Sequence, residues 1–292
     1  MGSDCKSCHQ LPLNNYTSIP QYLRGNRWVL TGYRVNYSVT QCLFSIFQCS
    51  NEFFNIWTHL AGFFVFAVLF LSDVLVKLPY EGADWSDYAI VTATLSTFAF
   101  CMLCSTGFHV FNSHSRNCYS VWLAVDVSGV AIGALGCYLL GVYYGFYCYP
   151  FWRSVYAVMV GLMCLIVLAA QVYDALSQTH NTLRSVFLFC SLGAVSVIPT
   201  THWICLENGL ESSLVRLLLP KVFIMYFLLL LAVVIYLSKF PERFFPGKFD
   251  FFGHSHNLWH LMVVIALCYW HRVGLEIVHI MLHSKCNHVK LQ

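Results

Sequence analysis

Residues 253–271 read GHSHNLWHLMVVIALCYWH. Three imidazoles, His254, His256 and His260, open a stretch that is otherwise almost wholly apolar. The apolar run from 256 to 280 is long enough to cross a hydrocarbon core of about 30 Å as a helix. His256 and His260 are four residues apart, so such a helix carries both rings on one face. A metal held there needs further ligands from elsewhere in the chain.

The remainder supplies six more apolar runs, near 58–77, 88–110, 119–142, 152–173, 185–204 and 219–238. They do not alternate as barrel strands do. Of the 292 residues, 58% are apolar and only 10% charged, against roughly 25% charged in soluble domains. The fold class expected is therefore an all-α membrane protein with seven transmembrane helices over 58–280. Residues 1–36 read as a tail, 37–48 as an amphipathic helix lying in the membrane interface, and 281–292 as a short second tail. Ser50 is a cap for the first span, ahead of Asn51 and Glu52. Trp57, Trp122, Trp152 and Trp203 mark the interfaces.

The net charge of +3 is scattered, without the basic stripe or motif of a nucleic-acid binder. No apolar core follows a basic start, so the first span is expected to act as its own insertion signal. Most of the 14 cysteines, among them Cys101, Cys104, Cys137, Cys164, Cys190 and Cys268, lie inside apolar runs as small hydrophobes. Cys5 and Cys8, with His9 behind them, form a lone C-x-x-C, which is weak evidence and reads as part of a loose tail rather than as a redox-active or lipid-modified motif. Nine basic residues fall on the N-terminal side of the membrane and seven on the other. That bias predicts a cytosolic N-terminus, which leaves the sequons at Asn15 and Asn36 unglycosylated.

Seven spans fix parity. The end of the second, the start of the third and the start of the seventh lie on one side, whichever way the chain is inserted. His109 closes the second span, Asp126 lies in the first turns of the third, and His256 and His260 open the seventh. Ser105 stands one turn from His109 on the same helix face. An acid inside an apolar helix costs several kcal/mol unless paired or ligated, so Asp126 marks a functional site by default. Three imidazoles suit zinc. Asp126 can hold a water or accept its proton, and Ser105 can bond that acid or a developing oxyanion. A single histidine near a helix end is more often a hydrogen-bonded interfacial residue. It is the conjunction of three histidines with an acid that favours metal. His254 points elsewhere on the helix, His59 shares the same membrane side as outer support, and Glu52 and Asn55 look like structural caps. His202 belongs to the opposite end, and His279, His283 and His288 read as tail residues.

The stretches GYR (32–34), SNEFFNIWTHLAG (50–62), CSTGFHVFNSHS (104–115), AVDVSG (124–129), GFYC (145–148), PERFFPGKFD (241–250) and SHNLWH (255–260) together carry a resemblance. On them the chain resembles the progestin and adipoQ receptor family, which contains the adiponectin receptors, from Gly32 to about Gly274. The resemblance implies zinc on His109, His256 and His260, a water held by Asp126, and Ser105 beside it. It implies possible hydrolysis of a membrane lipid amide such as ceramide, with ceramide or a free fatty acid in the cavity. With CMLCSTGFH (101–109), IGALGCYLLGVYYGFYC (132–148) and HSK (283–285) the chain resembles a Golgi-resident branch, which implies negative regulation of Raf kinase and MAP kinase signalling through the cytosolic N-terminal region, here with Arg24, Arg27 and Arg34. The alternative is a non-enzymatic receptor or scaffold in which zinc is structural.

Overall fold

A computed structural model describes residues 11–177, 181–284 and 286. Cys5, Cys8, His9 and His288 lie outside the described residues. A short helix, α1 (Val39–Phe44), precedes seven long apolar ones. These are α2 (Phe53–Glu81), α3 (Trp85–Phe111), α4 (Arg116–Gly145), α5 (Pro150–Ser177), α6 (Leu183–Leu206), α7 (Ser213–Ser238) and α8 (Ser255–Ser284). Each is long and apolar enough to span a membrane. Among the described residues there is no strand, only an isolated antiparallel bridge between Asn14 and Tyr33. The protein is an all-helical, integral multi-pass membrane protein.

Every helix extends beyond its apolar run. The first begins at Phe53 rather than 58, and the last continues to Ser284 rather than 280. Polar residues at the interface can stay helical when capped. Asp84 caps α3 through its side chain, accepting from the Ser86 and Asp87 amides. Ser115 caps α4 by accepting from Cys118 N–H.

The helices do not share the core equally. Helices α3 and α8 are the most deeply packed, whereas α6 and α7 present much of their surface outward. The α3–α4 seam is drawn close by small residues. A Cβ on Gly129 would lie 2.7 Å from the Cys104 side chain, and one on Gly136 would lie 2.0 Å from Thr97. Asp126 falls on the same helical face as Gly129, Gly133 and Gly136, so the seam that excludes bulk also turns this acid toward α3.

Residues 37–48 hold α1 and a following 3-10 turn, Ser45–Phe47. Val39, Leu43, Phe44 and Phe47 are exposed while Cys42 is fully buried. That apolar surface on one short helix suits a membrane interface.

The segment expected to be a tail is folded over residues 11–36. Leu30 N–H and the Thr31 hydroxyl donate to Asp250 at 2.9 and 2.7 Å. Asn26 donates to Glu242 at 2.9 Å. Ile19, Val29 and Tyr33 form a small apolar core of their own. The polar composition that suggested a tail is spent on hydrogen bonds to the loop between α7 and α8.

A disulfide joins Cys148, just past α4, to Cys286, just past α8. The pair went unrecognised in the sequence because 138 residues separate its members.

Candidate metal centre

The parity argument required four side chains at one depth near the N-terminal face. His109 lies in the last turn of α3, and His256 and His260 lie in the first turns of α8. Their ring nitrogens converge. His256 Nε2 is 3.3 Å from His109 Nε2 and 3.2 Å from His260 Nε2. One donor atom from each of the three lies within 4.8 Å of the others. His109 and His260 are buried, and His256 is the partly open member.

The start of α8 is fixed from outside the membrane. Glu242 accepts from Ser255 N–H at 2.7 Å and also from the Ser255 hydroxyl. Asn257 Oδ1 accepts from Gly253 N–H at 2.9 Å. A carboxylate at a helix N-terminus satisfies free amide donors and opposes the helix dipole favourably.

Glu52, read from the sequence as a structural cap, has a different position. It occupies the N-cap of α2 but makes no side-chain cap. Its Oε2 contacts His109 Nδ1 at 2.7 Å, while Asn112 donates to Oε1 at 2.8 Å and Asn55 donates to Oε2 at 2.7 Å. Three donors, from His109, Asn112 and Asn55, converge on the Glu52 carboxyl, and hydrogen bonds to the charged form favour its ionisation. Ionised, it can only accept. His109 Nδ1 therefore carries the proton and its Nε2 presents a lone pair to the cluster.

This tautomer tests whether the residues fit a metal. With His109 Nε2 a bare acceptor, the only hydrogen available at His256 Nε2 can serve His109 or His260, not both. A cation satisfies all three lone pairs. Two imidazole nitrogens, each about 2.0–2.1 Å from a tetrahedral zinc ion, stand about 3.4 Å apart. The contacts of 3.2 and 3.3 Å match that spacing. The donor set fits a zinc-type ion, and His256 is the least buried of its three members.

Asp126 lies outside the tight cluster, and the Ser105 hydroxyl is hydrogen-bonded to its carboxylate. The Tyr236 ring is 5.9 Å from that of His256.

His254 is turned away from the cluster, with Nε2 3.3 Å from the Asn51 carbonyl. His59 stacks on His260, ring centroids 3.8 Å apart. Asn55 accepts from Asn257 at 2.7 Å, tying α2 to α8. Ser50 Oγ accepts from Glu52 N–H at 3.3 Å, so it caps the turn ahead of α2 rather than the helix itself. His202 is elsewhere, 2.8 Å from the Tyr156 hydroxyl. Arg34, grouped in the sequence with Arg24 and Arg27 as an exposed basic segment, is in fact buried. Its guanidinium donates to the carbonyls of His109 and Val110, to Asn112 Oδ1 at 3.1 Å and to Ser45 Oγ at 2.5 Å. It satisfies the free carbonyls at the end of α3, the turn that carries His109. The one signal of that role in the sequence was an arginine within the short GYR motif.

Similarity to known proteins follows the same organisation. The haemolysin-III-related family matches residues 47–271. The chain is 42% identical over 275 residues to Progestin and adipoQ receptor family member 3 of Homo sapiens, covering 94% of this chain and 88% of that one. It is 29% identical over 287 residues to the adiponectin receptor protein of Drosophila melanogaster, covering 97% of this chain and 62% of that one. It is 26% identical over 270 residues to heptahelical transmembrane protein 1 of Arabidopsis thaliana, covering 89% and 80%.

Proposed function

The chain belongs to the progestin and adipoQ receptor family, within the haemolysin-III-related group, and from that membership we propose a zinc-binding signalling protein of the Golgi membrane whose metal centre hydrolyses a lipid amide such as ceramide. The observation that carries this reading is the convergence of three imidazoles with a carboxylate fixing one tautomer and a second acid set back from them. His109, His256 and His260 hold the ion. Zinc supplies Lewis acidity that activates water and polarises a carbonyl. Asp126 accepts the proton of the attacking water and returns it to the leaving amine, and Ser105 orients the Asp126 carboxylate. Glu52 holds the His109 ring in place. The apolar helices deliver a substrate already dissolved in the membrane, and a released fatty acid stays in the same phase.

We place the N-terminus in the cytosol. The charge bias supports this, and so does the Cys148–Cys286 bond at the opposite face, since disulfides persist in oxidising compartments. The metal centre then faces the cytosol. Golgi residence and negative regulation of Raf rest on the likeness to Progestin and adipoQ receptor family member 3. The folded segment 11–36, with Arg24 and Arg27 exposed, favours a second reading as well. In that reading the segment recruits the kinase and zinc is only structural.

The test pairs zinc content with turnover on detergent-purified protein. Full zinc with amide hydrolysis across a ceramide panel supports the enzyme. Full zinc, no turnover and intact Raf recruitment sinks the hydrolase and leaves the scaffold.

A further inference from the structure

The opposite end of α8 carries a second histidine pair of the same spacing. His279 and His283 project from its last turns toward Glu81, the final residue of α2. His279 Nδ1 is 2.7 Å from Glu81 Oε2, and His283 Nδ1 is 3.7 Å from the same oxygen. The two rings are 4.4 Å apart. One donor atom from each of the three residues lies within 4.8 Å of the others. From the sequence alone both histidines read as tail residues.

We propose that Glu81, His279 and His283 form a second, exchangeable metal site for a zinc-type divalent ion, at the membrane face opposite the buried centre, where it ties the end of α2 to the end of α8. Two imidazoles and a carboxylate are a donor set for zinc, with water completing the sphere on the solvent side. Two ordinary explanations account for part of the arrangement. A histidine near a helix C-terminus interacts favourably with free carbonyls, and His283 Nδ1 does donate to the His279 carbonyl at 2.8 Å. That bond fixes the tautomer and leaves His283 Nε2 as a lone pair. An ion pair of protonated His279 with Glu81 explains the 2.7 Å contact. The four-residue spacing puts both rings on one face of α8, but neither explanation places one carboxylate oxygen within reach of both rings. A shared cation accounts for all three.

The positions of the ligands are set by the backbone. Gly82 adopts a left-handed conformation, φ 65°, which stops α2 and leaves Glu81 in its last turn. Cys286, three residues past His283, is bonded to Cys148 at the end of α4. The ligand-bearing end of α8 is therefore tied on both sides. The His279 and His283 side chains are 56% and 61% exposed, so an ion enters and leaves from water without opening the helices.

The experiment uses the full chain, purified through a tag without histidines and dialysed against low-micromolar free zinc. Metal is counted by mass spectrometry, and zinc-induced thermal stabilisation is recorded in parallel. The double variant His279→Asn/His283→Asn is expected to hold one equivalent fewer than wild type while keeping the buried one. Glu81→Gln is expected to weaken the outer equivalent by roughly tenfold or more, because it removes the charge of the carboxylate. Retention of the wild-type count by the double variant overturns the proposal. So does a count that falls only with His256→Ala or His260→Ala. The difference between wild type and double variant is read whatever the buried centre holds, so failure of one site is distinguishable from failure of the other. A double variant that unfolds is replaced by Glu81→Gln alone, and an unchanged zinc affinity there is equally adverse.

Discussion

Helix α8 bears two pairs of histidines, each four residues apart, and its two ends use them differently. At the start, His256 and His260 meet His109 inside the bundle, where neighbouring helices exclude most of the water. At the end, His279 and His283 meet Glu81 in water. The spacing is identical, so spacing alone does not decide chemistry. What decides is the supply of opposing groups and the cost of leaving them unpaired. Inside the bundle, converging lone pairs have no solvent to turn to, and a cation is the economical solution. Outside, water meets the same need, and an ion binds only as strongly as its ligands hold it.

The strongest way to break this contrast is to remove ligands at the buried end. His256→Ala and His260→Ala are each expected to lose zinc, by more than about 100-fold in affinity, beyond the upper end of what loss of a supporting hydrogen bond costs. Each also lowers the thermal stability, because an ion that binds only the folded state stabilises it. Metal analysis and unfolding in detergent measure both. Unchanged metal content in either variant would remove the buried centre from the account.

Asp126→Asn sharpens the functional half of the comparison. The amide keeps size and hydrogen bonding but cannot accept the proton of an attacking water. Zinc is expected to stay while lipid-amide hydrolysis falls by roughly 10²-fold or more. Loss of zinc would instead make Asp126 a ligand, which its place outside the tight cluster argues against.

How far could these ends be read without coordinates? The seven helices were legible because apolar runs of spanning length leave few alternatives. The convergence of His109, His256 and His260 was legible because seven spans fix which ends share a face. Glu52 was not. It sits just before a helix, where acids usually cap, and its partners His109 and Asn112 lie on α3. Arg34 was read as an exposed charge because nothing in its own neighbourhood shows that the end of α3 will close over it. The outer cluster failed for a similar reason. Glu81 and His279 are 198 residues apart, and the two histidines lie at and just past the end of the last apolar run, where they read as tail residues.

Glu52→Gln probes the group that sequence reasoning missed. The amide can accept from His109 Nδ1–H but no longer carries the charge that fixes the tautomer. Zinc affinity at the buried centre is expected to fall by roughly 10–100-fold, less than for loss of a ligand. A competition titration with a chelator measures it. An effect below about twofold would mean that His109 is oriented by packing alone, through rings such as Phe108, whose centroid is 4.9 Å away.

The smallest effect belongs to the outer end in the absence of metal. His279→Asn/His283→Asn removes one short histidine–carboxylate contact and one longer one, both more than half exposed on the histidine side. Exposed pairs contribute about 0–1 kcal/mol, and salt screens even that. In chelated buffer the variant is therefore expected to unfold within about 1 kcal/mol of wild type. Adding zinc separates them. Wild type gains stability in proportion to the logarithm of free zinc above its dissociation constant, and the variant gains only what the buried centre supplies. A large loss in chelated buffer would show that the histidines pack as part of the helix end. The contrast between the two ends would then be one of burial, without a second metal.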